Sequence, residues 1–424
     1  MAKICLYLHV HQPHRLAKLN YLDLGNQDDY FGEKLPEVSN QNREILLKVA
    51  QKSYLPTNKI LLKLLKKYPA FNLSLSITGN LIEQCALYAP EVIDSFKELV
   101  ATGRVEILSE TYYHSLAALH SVEEFAQQIV LHRSLVKSVF GYETRSFRNT
   151  ELIYNDKIAS YIQQLGFKAT ITEGWEPVLA GKSAHHVYNA VTEKLTSQEL
   201  AILNSLQIRK PYKQLKLLLK SYKLSDDVAF RFSDKSWVEY PLTPKKFANW
   251  ISNSEGQLVN LFMDYETFGE HQWEDTGIFK FLKGLPGELL AAGHEFSTIS
   301  EAASGRSSGP ISIPELISWA DMERDLSAWN GNKMQKEALS SIYQIEEFIQ
   351  KLQLARNQNS QISQFISTWR RLQTSDHFYY MSTKYWSDGD VHKYFSPYES
   401  PYEAFINYMN IVEDFRKRLE FILE

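Results

Sequence analysis

The sequence has only two cysteines, Cys5 and Cys85, among its 424 residues. Both lie in apolar segments, and a chain of this length buries enough surface to fold without a disulfide. We therefore expect two free thiols in a reducing compartment, which predicts a cytoplasmic location. The apolar run that precedes His9 is too short to be the core of a signal peptide followed by a cleavage site.

The sequence also lacks the features that mark membrane or nucleic-acid partners. No segment approaches the roughly 20 apolar residues that a membrane span requires. The 46 basic residues are outnumbered by 50 acidic residues and form no long block, which argues against a nucleic-acid surface. A nucleotide-binding glycine loop is absent, because the stretch 284–287 contains Pro286 and no Walker lysine. We expect no cofactor, no membrane partner and no nucleic-acid partner.

Aromatic residues are abundant, at 13% of the chain, with 24 tyrosines and 8 tryptophans. They supply much of any protein core, and flat rings also stack against sugar faces in carbohydrate sites. The composition is therefore compatible with a sugar ligand without requiring one.

Apolar, strand-like runs alternate with amphipathic helical segments before residue 303. The runs lie at 4–10, 71–77, 105–108, 144–151, 168–172, 228–232 and 258–263. About seven strand and helix units predict an α/β fold whose parallel sheet is closed, or nearly closed, into a barrel. Residues 303–310 have the composition of a linker. Helical periodicity without strands follows at 333–356, 360–372 and 401–423.

The first strand places His9 and His11 on one face with Cys5 and Tyr7, and aliphatic residues on the other. We expect the aliphatic face to pack under helices and the mixed face to point inward. Two histidines at a strand end can hold a metal in barrel hydrolases. A polar active-site floor explains the pair equally well, and we predict no metal.

The stretch 261–271 runs from an apolar strand into two acids around Gly269. Strand alternation places Asp264 and Glu266 on one face, although solvated acids after an edge strand would give the same pattern. Acids or histidines also end other predicted strands: His9, His11, Glu83, Glu110, Glu151 and Glu173. Barrel enzymes gather catalytic groups at the carboxyl ends of their strands. Without a cofactor loop, this pattern favours hydrolysis or transfer of a sugar.

Five motifs follow one another between residues 9 and 379. They are His9-Val10-His11-Gln12-Pro13, Gly79-Asn80-Leu81-Ile82-Glu83, Arg148-Asn149-Thr150-Glu151-Leu152, Asp264-Tyr265-Glu266-Thr267-Phe268-Gly269 and Thr374-Ser375-Asp376-His377-Phe378-Tyr379. These motifs resemble the five ordered sequence regions of glycoside hydrolase family 57. The run Ser318-Trp319-Ala320-Asp321 and the residues after it further resemble the α-amylase branch of that family.

The resemblance implies an incomplete (β/α)7 TIM-like barrel, which we expect over residues 1–302. An α-helical region over residues 303–424 would then pack on the barrel and contribute to the cleft. The resemblance also implies a retaining, double-displacement mechanism on α-1,4-glucans or maltooligosaccharides, with Glu151 as nucleophile and Asp264 as general acid/base. Other residues are implied to bind the substrate: His11, Glu83 and Asp376, with His9, Glu266 and Trp319 in weaker or supporting positions.

These two roles require opposite protonation states. Glu151 must be ionised to attack the anomeric carbon, whereas Asp264 must carry a proton for the leaving oxygen. We expect Arg148 and the histidines to keep Glu151 charged, and the aromatic residues after Asp264 to raise the pKa of that acid. For a retaining enzyme the two carboxyls should lie about 5–5.5 Å apart.

Several alternatives stay open. The same carboxylates serve a 4-α-glucanotransferase, which delivers the glucosyl unit to another sugar rather than to water. The histidine pair is also compatible with a metal-dependent polysaccharide deacetylase or hydrolase. A protein that keeps the family fold but has no catalytic activity would be an α-glucan-binding protein. Each of three residues also has a second possible role. Glu266 could be the proton donor, Glu151 could be an acid that initiates a helix, and Asp376 could tether the helical region. The sequence assigns no linkage preference, no oligomeric state and no role to segments 15–58 and 180–225.

Overall fold

The computed structural model describes residues 1–26, 28–33, 41–354, 360–386 and 396–424. The chain divides into two compact units, each assembled from separate stretches. The first unit contains Met1–Gln12, Ile45–Tyr112 and Ala126–Trp319, and the second contains Pro13–Glu44, Tyr113–Phe125 and Ala320–Glu424. The functional division into residues 1–302 and 303–424 stays a prediction.

Ten strands occur in the described residues, and all belong to the first unit. They are β1 Lys3–Val10, β2 Leu73–Ile77, β3 Val105–Ile107, β4 Ser146–Arg148, β5 Ala169–Thr172, β6 Val187–Ala190, β7 Lys216–Leu219, β8 Leu258–Asp264, β9 Glu295–Phe296 and β10 Pro310–Ile311. One parallel group has the order β3-β2-β1-β8, and a second contains β4, β5 and β7 in parallel.

Two further contacts join these groups into a ring of seven parallel strands. A parallel bridge between Ser109 and Phe147 connects β3 to β4. The backbone N–H of Ser221, just after β7, donates to the carbonyl of Asn260 in β8 at 2.8 Å. A complete TIM barrel has eight such strands, so the predicted incomplete barrel is confirmed. β6 and β10 lie outside the ring, because β6 pairs antiparallel with β7.

Helices separate most of these strands and make up the described elements of the last hundred residues. Their bounds are Gln41–Val49, Leu55–Lys67, Gly79–Tyr88, Pro90–Val100, Val122–Phe140, Asp156–Leu165, Ser197–Ser205, Tyr222–Ala229, Pro244–Ser252, Ile278–Ala291, Ile299–Ala302, Ser327–Asn330, Lys333–Gln344, Glu346–Leu354, Ser360–Arg371, Ser375–Tyr379 and Pro401–Leu423. A π-helical turn, Ala50–Tyr54, connects the first two. Among the described helices, none has the length and apolar character needed to cross a bilayer.

Alternation along β1 sorts its side chains into two cores, as predicted. Its aliphatic residues pack with the surrounding helices, whereas Cys5 and Tyr7 pack with Phe262 of β8 inside the ring. Each fully buried large apolar side chain stabilises the fold by roughly 1.5–3 kcal/mol. A slip of one residue would exchange the two faces, so this burial fixes the register that brings His9 to the end of the barrel.

The predicted strand at 228–232 is wrong. Its first two residues end the helix Tyr222–Ala229, in which Val228 and Ala229 are buried. The sixth strand of the ring is instead β7, which lies in the segment 180–225 that the sequence left without a role. β7 is only four residues long and follows a lysine-rich stretch. Its alternation is therefore too brief to distinguish from a helical face.

The second unit is helical in its carboxyl-terminal part, as predicted. Asn332 caps the helix Lys333–Gln344, and Ser400 caps Pro401–Leu423. Arg370 makes a buried bidentate pair with Glu124, at 2.9 and 3.0 Å. The predicted end of a helix at residue 356 lies outside the described residues.

We expect Gly269→Ala to lower the free energy of unfolding by about 2–5 kcal/mol. Gly269 has φ 111°, and an added Cβ would lie 2.0 Å from the carbonyl oxygen of Lys52. Gly141→Ala is the matched control, because φ there is 65° but the Cβ would meet nothing within 4 Å. Its expected loss is about 1–2 kcal/mol. Urea unfolding measures both, and equal losses would contradict the close approach at Gly269.

Candidate active site

All seven strands of the ring end in polar side chains, and the carboxyl ends of parallel strands meet at one end of a barrel. The residues, from β1 to β8, are His9 and His11, Thr78, Glu110, Arg148 with Glu151, Glu173, Lys220, and Asp264 with Glu266. This set contains both predicted catalytic carboxylates. Thr78 and Lys220 are additions that the sequence reasoning missed.

His9 lies between two carboxylates. The register of β1 and β8 pairs His9 with Asp264. His9 Nδ1 is 3.5 Å from Asp264 Oδ1, and His9 Nε2 is 3.2 Å from Glu110 Oε2. Each ring nitrogen of His9 therefore faces a carboxylate from a different strand of the ring.

Glu110 and Arg148 form a buried ion pair beside this histidine. Both side chains are fully buried, with Arg148 Nη1 3.7 Å from Glu110 Oε2. The backbone N–H of Glu110 donates to His132 Nδ1 at 3.3 Å, and His132 Nε2 donates to the carbonyl of Ile77 at 2.9 Å. Burial lowers the pKa of His132, which agrees with the neutral tautomer that these two bonds require.

Glu151 lies on a turn of unusual backbone conformation after β4. Its φ is 56°, and that of Leu152 is 52°, so two consecutive non-glycine residues occupy the left-handed region. Each costs roughly 1–3 kcal/mol unless its surroundings hold it, and such residues concentrate at functional sites. Trp319 donates its indole N–H to Glu151 Oε2 at 2.7 Å, which stabilises the ionised carboxylate.

The predicted rise in the pKa of Asp264 is wrong. Burial acts to raise this pKa, but the hydrogen bond and charge of His9, together with His271 and Arg148, outweigh burial and lower the pKa. The side chain also keeps 37% of its surface exposed. These contacts therefore stabilise Asp264 as a carboxylate.

Glu266 has the properties that were expected of Asp264. β8 ends at Asp264 and the chain turns into a 3₁₀ helix, Tyr265–Thr267, so strand alternation does not extend to Glu266. The Tyr54 hydroxyl donates to Glu266 Oε1. Burial, with the neighbouring charge of Asp264, raises the pKa of Glu266 to about 8, against the opposing hydrogen bond from Tyr54. The raised pKa favours the protonated form of Glu266 at neutral pH.

Lys220 is a buried cation that the sequence reasoning missed. It follows β7 directly, and its Nζ lies 2.8 Å from Asp226 Oδ1 and 3.5 Å from Glu173 Oε2. The same Nζ is 5.5 Å from the ring centroid of Trp319. The signal in the sequence was a lone lysine after three leucines, Leu217 to Leu219, which marks the end of a buried strand.

Of the remaining predicted residues, His11 and Glu83 lie in the first unit and Asp376 lies in the second. His11 stacks on His9, with ring centroids 5.8 Å apart, and its Nδ1 is 2.9 Å from Thr78 Oγ1. Glu83, in the helix Gly79–Tyr88, accepts a hydrogen bond from the Tyr112 hydroxyl at 2.9 Å. Asp376 belongs to the second unit, in the first turn of Ser375–Tyr379, and its role in sugar binding stays a prediction.

Comparisons with known sequences assign the chain to a family. The sequence model of glycosyl hydrolase family 57 matches residues 5–314. A protein of Methanocaldococcus jannaschii, whose name gives it provisionally as an α-amylase, is 41% identical over 98% of this chain and 84% of its own length.

Two solved structures share the fold at low sequence identity. A family 57 branching enzyme from Thermococcus kodakaraensis superposes with a TM-score of 0.69 at 14% identity, over 100% of this chain and 90% of that enzyme. The 4-α-glucanotransferase of Thermococcus litoralis gives a TM-score of 0.56 at 16% identity, over 93% of this chain. The present chain spans about half the length of that second enzyme, 54%.

We expect Glu266→Gln to change how stability depends on pH. The pKa of Glu266 is raised from 4.5 to about 8, so between these values the folded protein binds more protons than the unfolded chain. The free energy of unfolding of the wild type therefore falls as pH rises through this window. The amide stays neutral throughout, so the wild type should lose about 2–5 kcal/mol more than the variant between pH 5 and pH 8.

Urea unfolding at the two pH values gives this difference directly. Glu98→Gln, on an exposed face of Pro90–Val100, is the control and should follow the wild type. A Glu266→Gln variant that also follows the wild type would show that Glu266 is ionised at neutral pH.

Proposed function

The chain belongs to glycosyl hydrolase family 57, and we propose that it is an α-amylase-like enzyme that cleaves α-1,4-glucans with retention. The observation that carries this proposal is the contact path from Glu151 through Trp319 and His9 to Asp264. It connects a carboxylate that accepts a hydrogen bond from an indole N–H to a second carboxylate that contacts a histidine. A double displacement requires such a pair. The name of the Methanocaldococcus jannaschii relative supports the α-amylase type.

In the first step, Glu151 attacks the anomeric carbon while Asp264 protonates the glycosidic oxygen. The bond from carbon to the leaving oxygen breaks as the bond from carbon to the Glu151 oxygen forms. In the second step, the Asp264 carboxylate takes a proton from water, and the resulting oxygen attacks the same carbon and releases Glu151. Two inversions give net retention.

Asp264 needs a proton at the first step, although the contacts with His9, His271 and Arg148 favour its carboxylate form. A bound glucan removes water from this partly exposed carboxyl, and desolvation favours the neutral acid. His9 is placed to exchange a proton with this carboxyl, because its Nδ1 lies 3.5 Å from Asp264 Oδ1. The buried Glu110 then keeps its hydrogen bond from His9 Nε2.

His11, Glu83 and Asp376 would hold sugar hydroxyl groups, and Glu266 would support Asp264 as a neutral neighbour. A neutral Glu266 avoids a second negative charge next to Asp264, which would otherwise disfavour its carboxylate. Glu266 is also the rival proton donor, since its raised pKa favours the protonated form. No cofactor or metal takes part in these steps.

Transfer to a second sugar is the alternative function that uses the same residues. A 4-α-glucanotransferase forms the same intermediate on Glu151 and differs in the acceptor, which is a glucan hydroxyl rather than water. The fold is shared with the Thermococcus litoralis 4-α-glucanotransferase. That likeness concerns the fold alone and does not decide the acceptor.

Two further alternative functions have weaker support. A metal-dependent deacetylase or hydrolase would take metal ligands from the histidine pair, and both nitrogens of His9 lie close to carboxylate oxygens. Activity that survives exhaustive chelation would remove this alternative. A non-catalytic glucan-binding protein would bind maltooligosaccharides without turnover.

We expect Glu151→Gln to abolish the release of reducing ends from maltoheptaose, because no nucleophile remains. Asp264→Asn should lower kcat by about 10²–10⁴-fold on the same substrate, since the leaving oxygen is no longer protonated. With a 4-nitrophenyl maltooligoside the leaving group needs no proton. The first turnover of Asp264→Asn should therefore recover, seen as a burst of nitrophenol, whereas Glu151→Gln should stay inactive.

Glu266→Gln decides between the two candidate acids. It should keep more than a tenth of the wild-type activity if Asp264 is the donor, and Glu98→Gln should match the wild type. A burst that appears with Glu266→Gln instead of Asp264→Asn would exchange the two roles. Near-wild-type turnover in Glu151→Gln would refute the nucleophile.

Hydrolysis and transfer differ in their products from one pure maltooligosaccharide. We expect maltoheptaose to give shorter oligosaccharides with one new reducing end for each bond cleaved. Chromatography of the products and a reducing-end assay measure both quantities. A ladder of products longer than maltoheptaose, without a gain in reducing ends, would establish the glucanotransferase instead.

A further inference from the structure

We propose that Trp319 is a positioning residue for Glu151, and that its indole N–H, rather than its ring face, is the group that the reaction uses. This inference rests on the proposed function, in which Glu151 is the nucleophile. The sequence predicted Trp319 as a residue that contacts the sugar. Its contacts in the first unit point to a different task.

The contact between the two side chains is short and has one chemical meaning. Trp319 Nε1 lies 2.7 Å from Glu151 Oε2. An indole nitrogen only donates and a carboxylate oxygen accepts, so this bond favours the charged form of Glu151 and orients one of its two oxygens. A charge-assisted bond of this length is roughly twice as strong as a neutral one.

A short backbone ladder holds the two residues in this relation. The N–H of Trp319 donates to the carbonyl of Glu151 at 3.2 Å, and two reciprocal bonds of 3.0 Å join Ile317 to Tyr154. The ladder ends at Asp156, whose carboxylate accepts the N–H of Ile313 at 2.8 Å. The indole is therefore attached to the same turn that it braces.

The turn needs such a brace, because Glu151 and Leu152 both have positive φ. A strained conformation persists when surrounding contacts over-determine it. Trp319 contributes to Glu151 through both its backbone and its side chain. Loss of the side-chain bond should leave the backbone ladder in place and allow the carboxylate to rotate.

Cations and a histidine fix the ring itself. The Arg148 guanidinium lies 5.1 Å from the ring centroid and Lys220 Nζ lies 5.5 Å from it, both within cation–π range. His9 meets the ring edge to face, with centroids 6.3 Å apart. Lys220 is fixed in turn by Asp226 and Glu173. This surrounding shell explains why a buried lysine occurs at the end of β7.

Trp319→Phe tests the proposal, because it keeps an aromatic ring and removes the N–H. We expect kcat on maltoheptaose to fall about 10- to 100-fold, which is the range for a hydrogen bond to a charged group. KM should stay within about twofold, because in this proposal the ring face of Trp319 does not bind the sugar. The acidic limb of kcat/KM should move to higher pH, because the nucleophile loses a donor that favours its charged form.

A sugar platform predicts the opposite pattern. In that case Trp319→Phe would behave like the wild type, and Trp319→Ala would raise KM. Trp250→Phe is the matched control, because that half-buried indole packs against Trp237 and Phe247 away from the strand ends. It should leave kcat, KM and the pH profile unchanged.

A second measurement does not depend on turnover. In nitrogen-15 labelled protein the eight tryptophans give indole N–H signals, and the one missing from Trp319→Phe belongs to Trp319. We expect this signal to lie downfield, to titrate at acidic pH, and to lose both properties in Glu151→Gln. A Trp319 signal insensitive to Glu151→Gln would overturn the inference, whereas an inactive wild type with the expected signal would overturn only the proposed function.

Discussion

The charges at the end of the barrel are buried, and a buried charge is tolerated when a partner and hydrogen bonds compensate the loss of water. Glu110 and Arg148 have no exposed surface, and His9 keeps 3%. Each is paired with a residue from a different strand of the ring. The closure of the barrel and the state of its carboxylates therefore depend on the same contacts, because a shift of β1 against β8 would separate His9 from Asp264.

Local patterns were enough to predict the barrel and most of its polar end. A buried strand followed at once by acids, as at Asp264, can be recognised without knowing its neighbours, because both signals lie within a few residues. The two faces of β1 followed from alternation alone. β7 was missed because a strand of four residues is too short to show alternation. Lys220, which follows β7, was therefore missed as well.

The protonation states could not be predicted, because they depend on residues distant in sequence. The aromatic neighbour Tyr265 suggested an apolar setting for Asp264, yet Tyr265 is buried in the core between strand and helices. His9 contacts Asp264 instead. Tyr54, from the segment that had no predicted role, contacts Glu266. The raised pKa therefore belongs to Glu266, two residues after Asp264.

The position of β1 in the ring also has a consequence for synthesis of the chain. β1 pairs with β2 on one side and with β8 on the other, and β8 is the last strand of the ring in sequence. On the ribosome, the edge of β1 that β8 will cover stays unpaired until residues 258–264 emerge. Contacts between such distant segments make folding slow, and an open apolar edge invites aggregation. A nascent chain of this protein is therefore an expected client of chaperones that bind early.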